Sequence, residues 1–473
     1  MSTEANEPTP DAVAKPARVS PKPMWILGLV ILIDQVDQNI LRGVIPQLKH
    51  EFHIGNGGIG ALLSIFVLVN GLVTVPAGYL ADRWHRTRTI GHTVIAWSVI
   101  TMVIAAAQNF SQLLLGRAVL GFGQGITEPS ANGLISDFYP TTERARAFSF
   151  QQIMGVVGAA IGIGFGGIIG EAAGWRWAFI AVGPPGILIA FVAYRLREPR
   201  RGHADRLHLG LADDERPEEH VRLFEHGIKR FVTDMLRGLR QDMRVILAIP
   251  TLRYALAGVG ALLFTAQAVG AWLAVFHKDF SGLTQSEATS SVAALLVFGG
   301  IPGLLLGGRV ADRYATRIRG ARVVIPAYCI AIGVTLFAVS YLPMPFPISW
   351  TLELLGMFTI WLAIPGLRAG VADAVPAHLR GAGFGAFNIV SVILGAAAAP
   401  FVVGQLADVL NLRYALILVT PPVYLGAWVL FRARDHLEAD AAKIFEAVIA
   451  AVQAEQAEQA ERDSTDDVTP NSE

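Results

Sequence analysis

The chain has 473 residues, 53% of them apolar and only 16% charged, with a mean hydropathy of +0.48. Soluble domains carry roughly 25% charged residues, so about a third of the expected charge is missing. The 38 basic and 38 acidic side chains cancel, leaving no net-charge argument for nucleic-acid binding, and the single cysteine, Cys329, excludes intramolecular disulfides and cysteine-cluster metal sites.

Residues 1–23 are polar and Pro/Ala-rich. They read as a disordered tail and not as a signal peptide, since no short apolar region with a cleavage site follows a basic start. From Met24 onward, apolar runs of bilayer-spanning length recur. They predict spans 1 to 6 over 24–45, 58–80, 89–107, 112–138, 147–170 and 176–195. Spans 7 to 12 follow over 251–275, 285–310, 321–341, 347–372, 380–405 and 411–432. The expected fold is an all-α membrane protein with twelve transmembrane helices in two six-helix bundles, 24–196 and 249–434. The polar stretch 197–248 reads as a linker in which Leu223, Ile228, Phe231, Val232 and Met235 form one helical stripe, an interfacial amphipathic helix. Residues 435–473 read as a solvated helix and a disordered tail.

Short loops set the orientation. One side collects Arg83, Arg86, Arg88, Arg144, Arg146, Arg313, Arg317, Arg319, Arg322 and Arg380, together with both termini and the linker. The other side has Lys49, Arg176, Lys278, Arg413 and the helix-end Arg42. Both termini are therefore expected in the cytoplasm, in a multi-pass protein of the plasma (inner) membrane.

An internal repeat divides the chain. Gly78-Tyr79-Leu80-Ala81-Asp82-Arg83 returns 230 residues later as Gly308-Arg309-Val310-Ala311-Asp312-Arg313, each copy closing the second span of a six-span set. A weaker echo, PTTERARA at 140–147 against PAHLRGAG at 376–383, precedes the fifth span of each set. Two echoes at nearly one offset indicate a duplicated six-helix half. Glycine lets helices approach closely, and an aspartate at a helix end can face another helix's positive N-terminus. Gly78, Asp82, Arg83, Arg86, Asp312 and Arg313 thus form a candidate breakable latch between halves; Arg86 and Arg88 also fit plain positive-inside anchoring.

These motifs resemble the major facilitator superfamily over nearly all of 24–432. GYLADRWHR is similar to its loop signature between helices 2 and 3, with His85 where the family usually has glycine. GWRWAF (174–179) and the Gly-rich span 5 (Gly155, Gly158, Gly162, Gly164, Gly166, Gly167, Gly170) resemble it too. The resemblance implies two bundles rocking around a central cavity, with Asp82, Arg83 and Arg144 latching the cytoplasmic side of the outward-facing state.

An ionisable side chain at the bilayer centre costs at least about 2.5–3.5 kcal/mol and calls for a function. Asp37 in span 1 stands about 20 Å from the helix start, near the midplane, and shares a face with Asp34. Two such carboxylates raise one another's affinity for a proton, and burial adds to this. In span 4, running the opposite way, Arg117, Gln124 and Glu128 fall on one stripe of a continuous helix. If spans 1 and 4 both line the cavity, Asp37 can alternate between a proton and Arg117; the competing reading is a permanent packing pair. Proton coupling is assigned to Asp37, Arg117, Glu128 and Asp34. Glu353 in span 10 is expected at an interface near the outer end, and His92 beside a loop.

DQNILRGVIPQLKHEF (37–52), RAVLGFGQG in span 4, REPRRG at 197–202 and LGAAAAP at 394–400 are similar to the Spinster-type transporters. That resemblance places the family's helix 1 acid on Asp37 and its helix 4 arginine on Arg117. Its helix 4 glutamate falls on Gln124, with Glu128 one turn further in, and Gln38 replaces an arginine. The resemblance implies a cavity between spans 1, 4, 7 and 10. Gln38, Gln124, Gln267, Trp272, Trp361, Phe387 and Asn388 are candidate lining residues, with Phe358 beside them. It also implies an amphipathic, lipid-like substrate of the lysophospholipid or sphingoid kind. Organic-anion symporters share much of the pattern, so an organic anion or drug carrier is the alternative, and a non-transporting sensor a further one. No P-loop, metal-ligand spacing or G-x-S-x-G elbow occurs. No enzyme activity, metal or cofactor is expected; the partners are protons, a small amphipathic molecule and the bilayer, and the chain is expected to be a monomer.

Overall fold

A computed structural model describes residues 20–81, 85–199, 247–315, 317–318, 320–374, 392–437, 439–440 and 442, and single positions between 233 and 244. Every regular element among these is helical. The N-terminal half comprises α1 (Lys22–Gly43), a short α2 (Ile45–Phe52), α3 (Asn56–Ala81), α4 (Arg86–Ile104), α5 (Phe110–Gln124), α6 (Thr127–Phe138), α7 (Thr141–Ala173) and α8 (Trp175–Tyr194). The C-terminal half comprises α9 (Pro250–Ser281), α10 (Gln285–Leu295), α11 (Ile301–Ala315), α12 (Ala321–Ser340), α13 (Phe346–Ala374), α14 (Ala398–Leu410), α15 (Leu412–Leu418) and α16 (Pro421–Arg432).

Ten stretches among the described residues are long and apolar enough to cross a membrane. The twelve-span arrangement is consistent with this, because span 4 is broken into α5 and α6 and span 11 begins in the undescribed 375–391. Prolines explain several irregularities. Pro129 lacks an N–H and its ring crowds the carbonyl four residues back, and the break at Gly125–Ile126 stands directly before its helix. Span 8 carries a π turn, Leu296–Gly300, ahead of Pro302, and span 12 breaks before Pro421 and Pro422.

Within the N-terminal half α1 packs on α7, α4 on α8 and α3 on α5; within the other half α12 and α11 pack on α13, and α9 on α16. Glycines set the closest approaches. A Cβ on Gly158 or Gly162 would collide with the carbonyls of Leu32 and Val36 in α1, so only hydrogen fits there. In the second half this approach is made by Gly303 and Gly307 against α13, while Gly308 of the repeat has room to spare.

The halves meet where α3 packs on α14 and α7 on α10. Taking the end where α1 begins as the near end, the hydrogen bonds between halves run from mid-depth to the far end among the described residues. Arg42 bonds Gln267, Ser64 bonds the Phe401 backbone, Gln285 bonds Gly43 and Gln47, and Asp408 and Glu171 reach backbone N–H groups of the opposite half. The far end is closed.

Candidate functional site

Asp37 is fully buried in α1 and has both carboxylate oxygens engaged. Thr101 in α4 donates its hydroxyl at 2.6 Å, and Gln124 at the last turn of α5 donates its amide at 2.5 Å. Spans 1, 3 and 4 therefore converge on one carboxylate. Gln124 is the last residue of α5; Arg117, two turns earlier, is 1% exposed. No ion pair joins Arg117 to Asp37 in this conformation. The guanidinium lies over the Phe66 ring at 4.4 Å, and Nε and one terminal nitrogen have no hydrogen-bond partner. Its charge nevertheless acts on Asp37 and on Arg42.

Asp34, 4% exposed, accepts from Gln38 at 2.7 Å through one oxygen and leaves the other unpartnered. Asp37 and Glu128 both act on it electrostatically. Asp34 and Asp37 are both buried in α1, whereas Glu128 is not on Arg117's helix. It is exposed in the first turn of α6, beyond the break at Gly125–Ile126, which interrupts the continuous stripe expected from spacing. An acid there is favoured by the exposed helix start.

Gln267 of the opposite half accepts from Arg42 at 2.6 Å. Arg42, in the last turn of α1 and assigned to the loop side by sequence, therefore bonds across the interface to the opposite half, with Nε unpartnered. Trp272, expected to line a cavity, is fully buried, and its indole donates to the Pro400 carbonyl at 3.2 Å. It packs α9 on α14 and presents no face to a cavity in this conformation, because Gly404 admits its ring against the α14 backbone. Trp361 is half-buried beside Gly300 and donates to the Met357 sulfur at 3.1 Å. Phe387 and Asn388 lie outside the described residues, as do Asp82 and Arg83.

Two latch candidates bond within the N-terminal half. Arg86 is 4% exposed and bonds Asp137 of α6, Glu198 Oε1 at 3.0 Å and the Pro199 carbonyl at 3.3 Å. Glu198 also accepts from the Thr87 backbone and hydroxyl, each at 2.8 Å, capping α4. Burial pushes the Glu198 carboxyl up, but the bonds from Thr87 and Arg86 outweigh it and hold it below the ordinary glutamate value. Arg86 thus staples spans 3 and 4 to the segment after span 6, a role its loop position did not reveal. Arg144 donates to the Ser136 carbonyl at 2.7 Å and to that of Tyr139 at 3.3 Å. Gly78 lies in α3 and Asp312 and Arg313 in α11, with Arg313 exposed.

Three features were missed by sequence reasoning: Thr101, the inward reach of Arg42, and a second buried pair. His277 in α9 and Glu353 in α13 are both wholly buried and 2.7 Å apart. Glu353 was expected at an interface; it sits instead between α9, α12 and α13, accepting also from Ser340 at 3.2 Å. A lone hydroxyl or histidine inside an apolar run was the available signal.

The Major Facilitator Superfamily model matches residues 27–399. The chain belongs to this superfamily. It is 24% identical over 412 residues to the "Probable L-galactonate transporter" of Escherichia coli (strain K12), covering 85% of this chain and 86% of that one. It is also 24% identical over 418 residues to "Protein spinster" of Drosophila melanogaster, covering 84% of this chain and 65% of that longer protein. Among solved structures it resembles a bacterial homolog to the human lysosomal transporter Spinster, in an inward-facing and unoccupied conformation. The TM-score is 0.72 at 19% identity, covering 88% of this chain and 97% of that one. The major facilitator fold, membrane embedding and a transporter's role follow, and Spinster proteins are among the relatives.

Proposed function

We propose that the chain is a proton-coupled secondary transporter that moves an amphipathic, lipid-like molecule with an acidic head group, of the lysophospholipid kind, by alternating access. One observation carries the reading: Asp37 spends both oxygens on neutral donors while the buried Arg117 keeps unpartnered N–H groups. A buried guanidinium with free donors suits a carboxylate or phosphate. A buried carboxylate among neutral donors can take a proton without losing an ion partner. Protonation and substrate anion then act on neighbouring groups, and Arg117 can close on Asp37 when both have left.

Arg42 and Gln267 bring the opposite half to the same depth, so an anion drawn to Arg42 and Arg117 is sensed by both halves. Gln38, Gln124 and Trp361 complete the polar and aromatic surroundings, and Glu128 with Asp34 passes protons toward the near end. With the termini in the cytoplasm of a plasma-membrane monomer, the closed far end makes this the inward-facing arrangement. Gly78, Asp82, Arg83, Arg144, Asp312 and Arg313 would tie the near end in the opposite state. A small organic anion is the second reading, supported by the name of the Escherichia coli relative.

The test is uptake into proteoliposomes under an imposed pH gradient, comparing lysophospholipids with sugar acids lacking an acyl chain. Gradient-driven flux of the lysophospholipid, lost in Asp37→Asn, is expected. Flux of the sugar acid alone selects the second reading, and equal flux by wild type and Asp37→Asn removes the proton role.

A further inference from the structure

We propose that Asp408 and Glu171 hold the far end of the transporter closed, as two carboxylate-to-helix ties related by the internal duplication. Asp408, at the end of α14, accepts from the Asn56 and Gly57 backbone N–H groups through its two oxygens, each at 2.7 Å. Glu171, at the end of α7, accepts from the Ser286 N–H at 2.7 Å. Each carboxylate belongs to one half and each helix start to the other. Spans 5 and 11 carry the acids, and spans 2 and 8 supply the helix starts. Asn56 and Ser286 stand 230 residues apart, the same offset as the Gly78 and Gly308 copies at the other end of those spans.

The chemistry suits a reversible tie. The first N–H groups of a helix have no partner within it, and the helix dipole favours a negative charge there. Both carboxylates are exposed, so water takes over their bonds when the halves part. The ties therefore bias the closed state without trapping it. Close packing brings the partners into range: a Cβ on Gly57 would stand 2.6 Å from the Gln405 side chain, one on Gly60 would meet the Pro400 carbonyl, and one on Gly167 the Thr289 hydroxyl. Gln285 adds a bond to the Gly43 carbonyl at 2.6 Å.

The experiment measures the far-end distance directly in the full chain. In a Cys329→Ser background, spin labels at His50→Cys and Val409→Cys, both exposed and on opposite halves, are read by double electron–electron resonance in nanodiscs. No substrate or pH gradient is needed, so failure of the proton-coupling reading leaves this test intact. The unsubstituted acids are expected to give mainly the short distance. Asp408→Asn and Glu171→Gln each shift the closed-to-open ratio about two- to fivefold toward open, and together about tenfold. Asp408→Ala shifts it further than Asp408→Asn, which keeps a carbonyl acceptor. An unchanged or more closed distribution in the double variant overturns the proposal. If the double variant does not fold, the same shift, or its absence, is read in each single variant with unaltered thermal unfolding.

Discussion

In the N-terminal half Asp37 and Arg117 share a buried cluster without bonding each other, whereas in the C-terminal half His277 and Glu353 are paired and fully satisfied. His277 bonds Ser291 at 2.7 Å on one nitrogen and Glu353 at 2.7 Å on the other, and Ser340 fills the second glutamate oxygen. Arg117 and Arg42 retain buried N–H groups with no partner, and Asp34 an oxygen. An unpartnered buried polar group costs about 1–3 kcal/mol, more when charged. On the proton-coupling proposal, the unsatisfied Asp37–Arg117 cluster does the transport work and the satisfied His277–Glu353 pair serves architecture.

The largest effect expected from this contrast is at Asp37. Asp37→Asn keeps the Thr101 and Gln124 contacts within reach but cannot release a proton, so gradient-driven uptake falls to background while unfolding temperature is retained. Next is Arg117→Gln, expected to raise KM about ten- to a hundredfold, the equivalent of one charge-assisted hydrogen bond of roughly 1.5–3 kcal/mol. An unaltered KM would mean the free donors do not meet the substrate. Glu353→Leu should act on stability instead. Removing one partner of a buried pair costs about 3–5 kcal/mol, while uptake per folded molecule stays within about twofold, inside the context scatter of such measurements. If Glu353→Gln abolished uptake with normal unfolding, the division of labour between the halves would be wrong.

The smallest effect concerns the near-end staple. The Glu198 carboxyl is held below its ordinary value by bonds from Thr87 and Arg86, which exceed the opposing effect of burial. Its contribution to stability is thus fully present above the unfolded value of about 4.3 and is lost as pH falls through the lower folded value. Wild type should lose thermal stability more steeply than Glu198→Gln below about pH 4, measured by unfolding curves. Parallel curves would show that the staple does not depend on the glutamate charge.

The fold was legible because its signals are additive along the chain: apolar runs of bilayer length, a hexapeptide repeated at matching depth, and arginines gathered on one side. Asp37 was legible for the same reason, since a carboxylate inside an apolar run stands out against its local cost. Arg117 and Gln124 were rightly placed on one helix, but Glu128 was joined to their stripe because the consequence of Pro129 for span 4 was not applied. Trp272 was misplaced by assuming that an aromatic in a cavity-lining span must face the cavity, and Glu353 by assuming that an acid near a span's outer end must sit at the interface.

Partnership was not legible. Whether Asp37 bonds Arg117 or Thr101, whether Arg42 faces a loop or the opposite half, and whether Arg86 latches or staples all depend on which spans lie side by side. Hydropathy, periodicity and charge bias are sums over neighbours in sequence, so the sequence by itself determined the class, the duplication and the buried acid. Hydrogen bonds between residues 64, 87 or 225 positions apart are decided by tertiary packing to tenths of an ångström. Such contacts leave no periodic trace in either partner's local sequence, and only the structure could assign them.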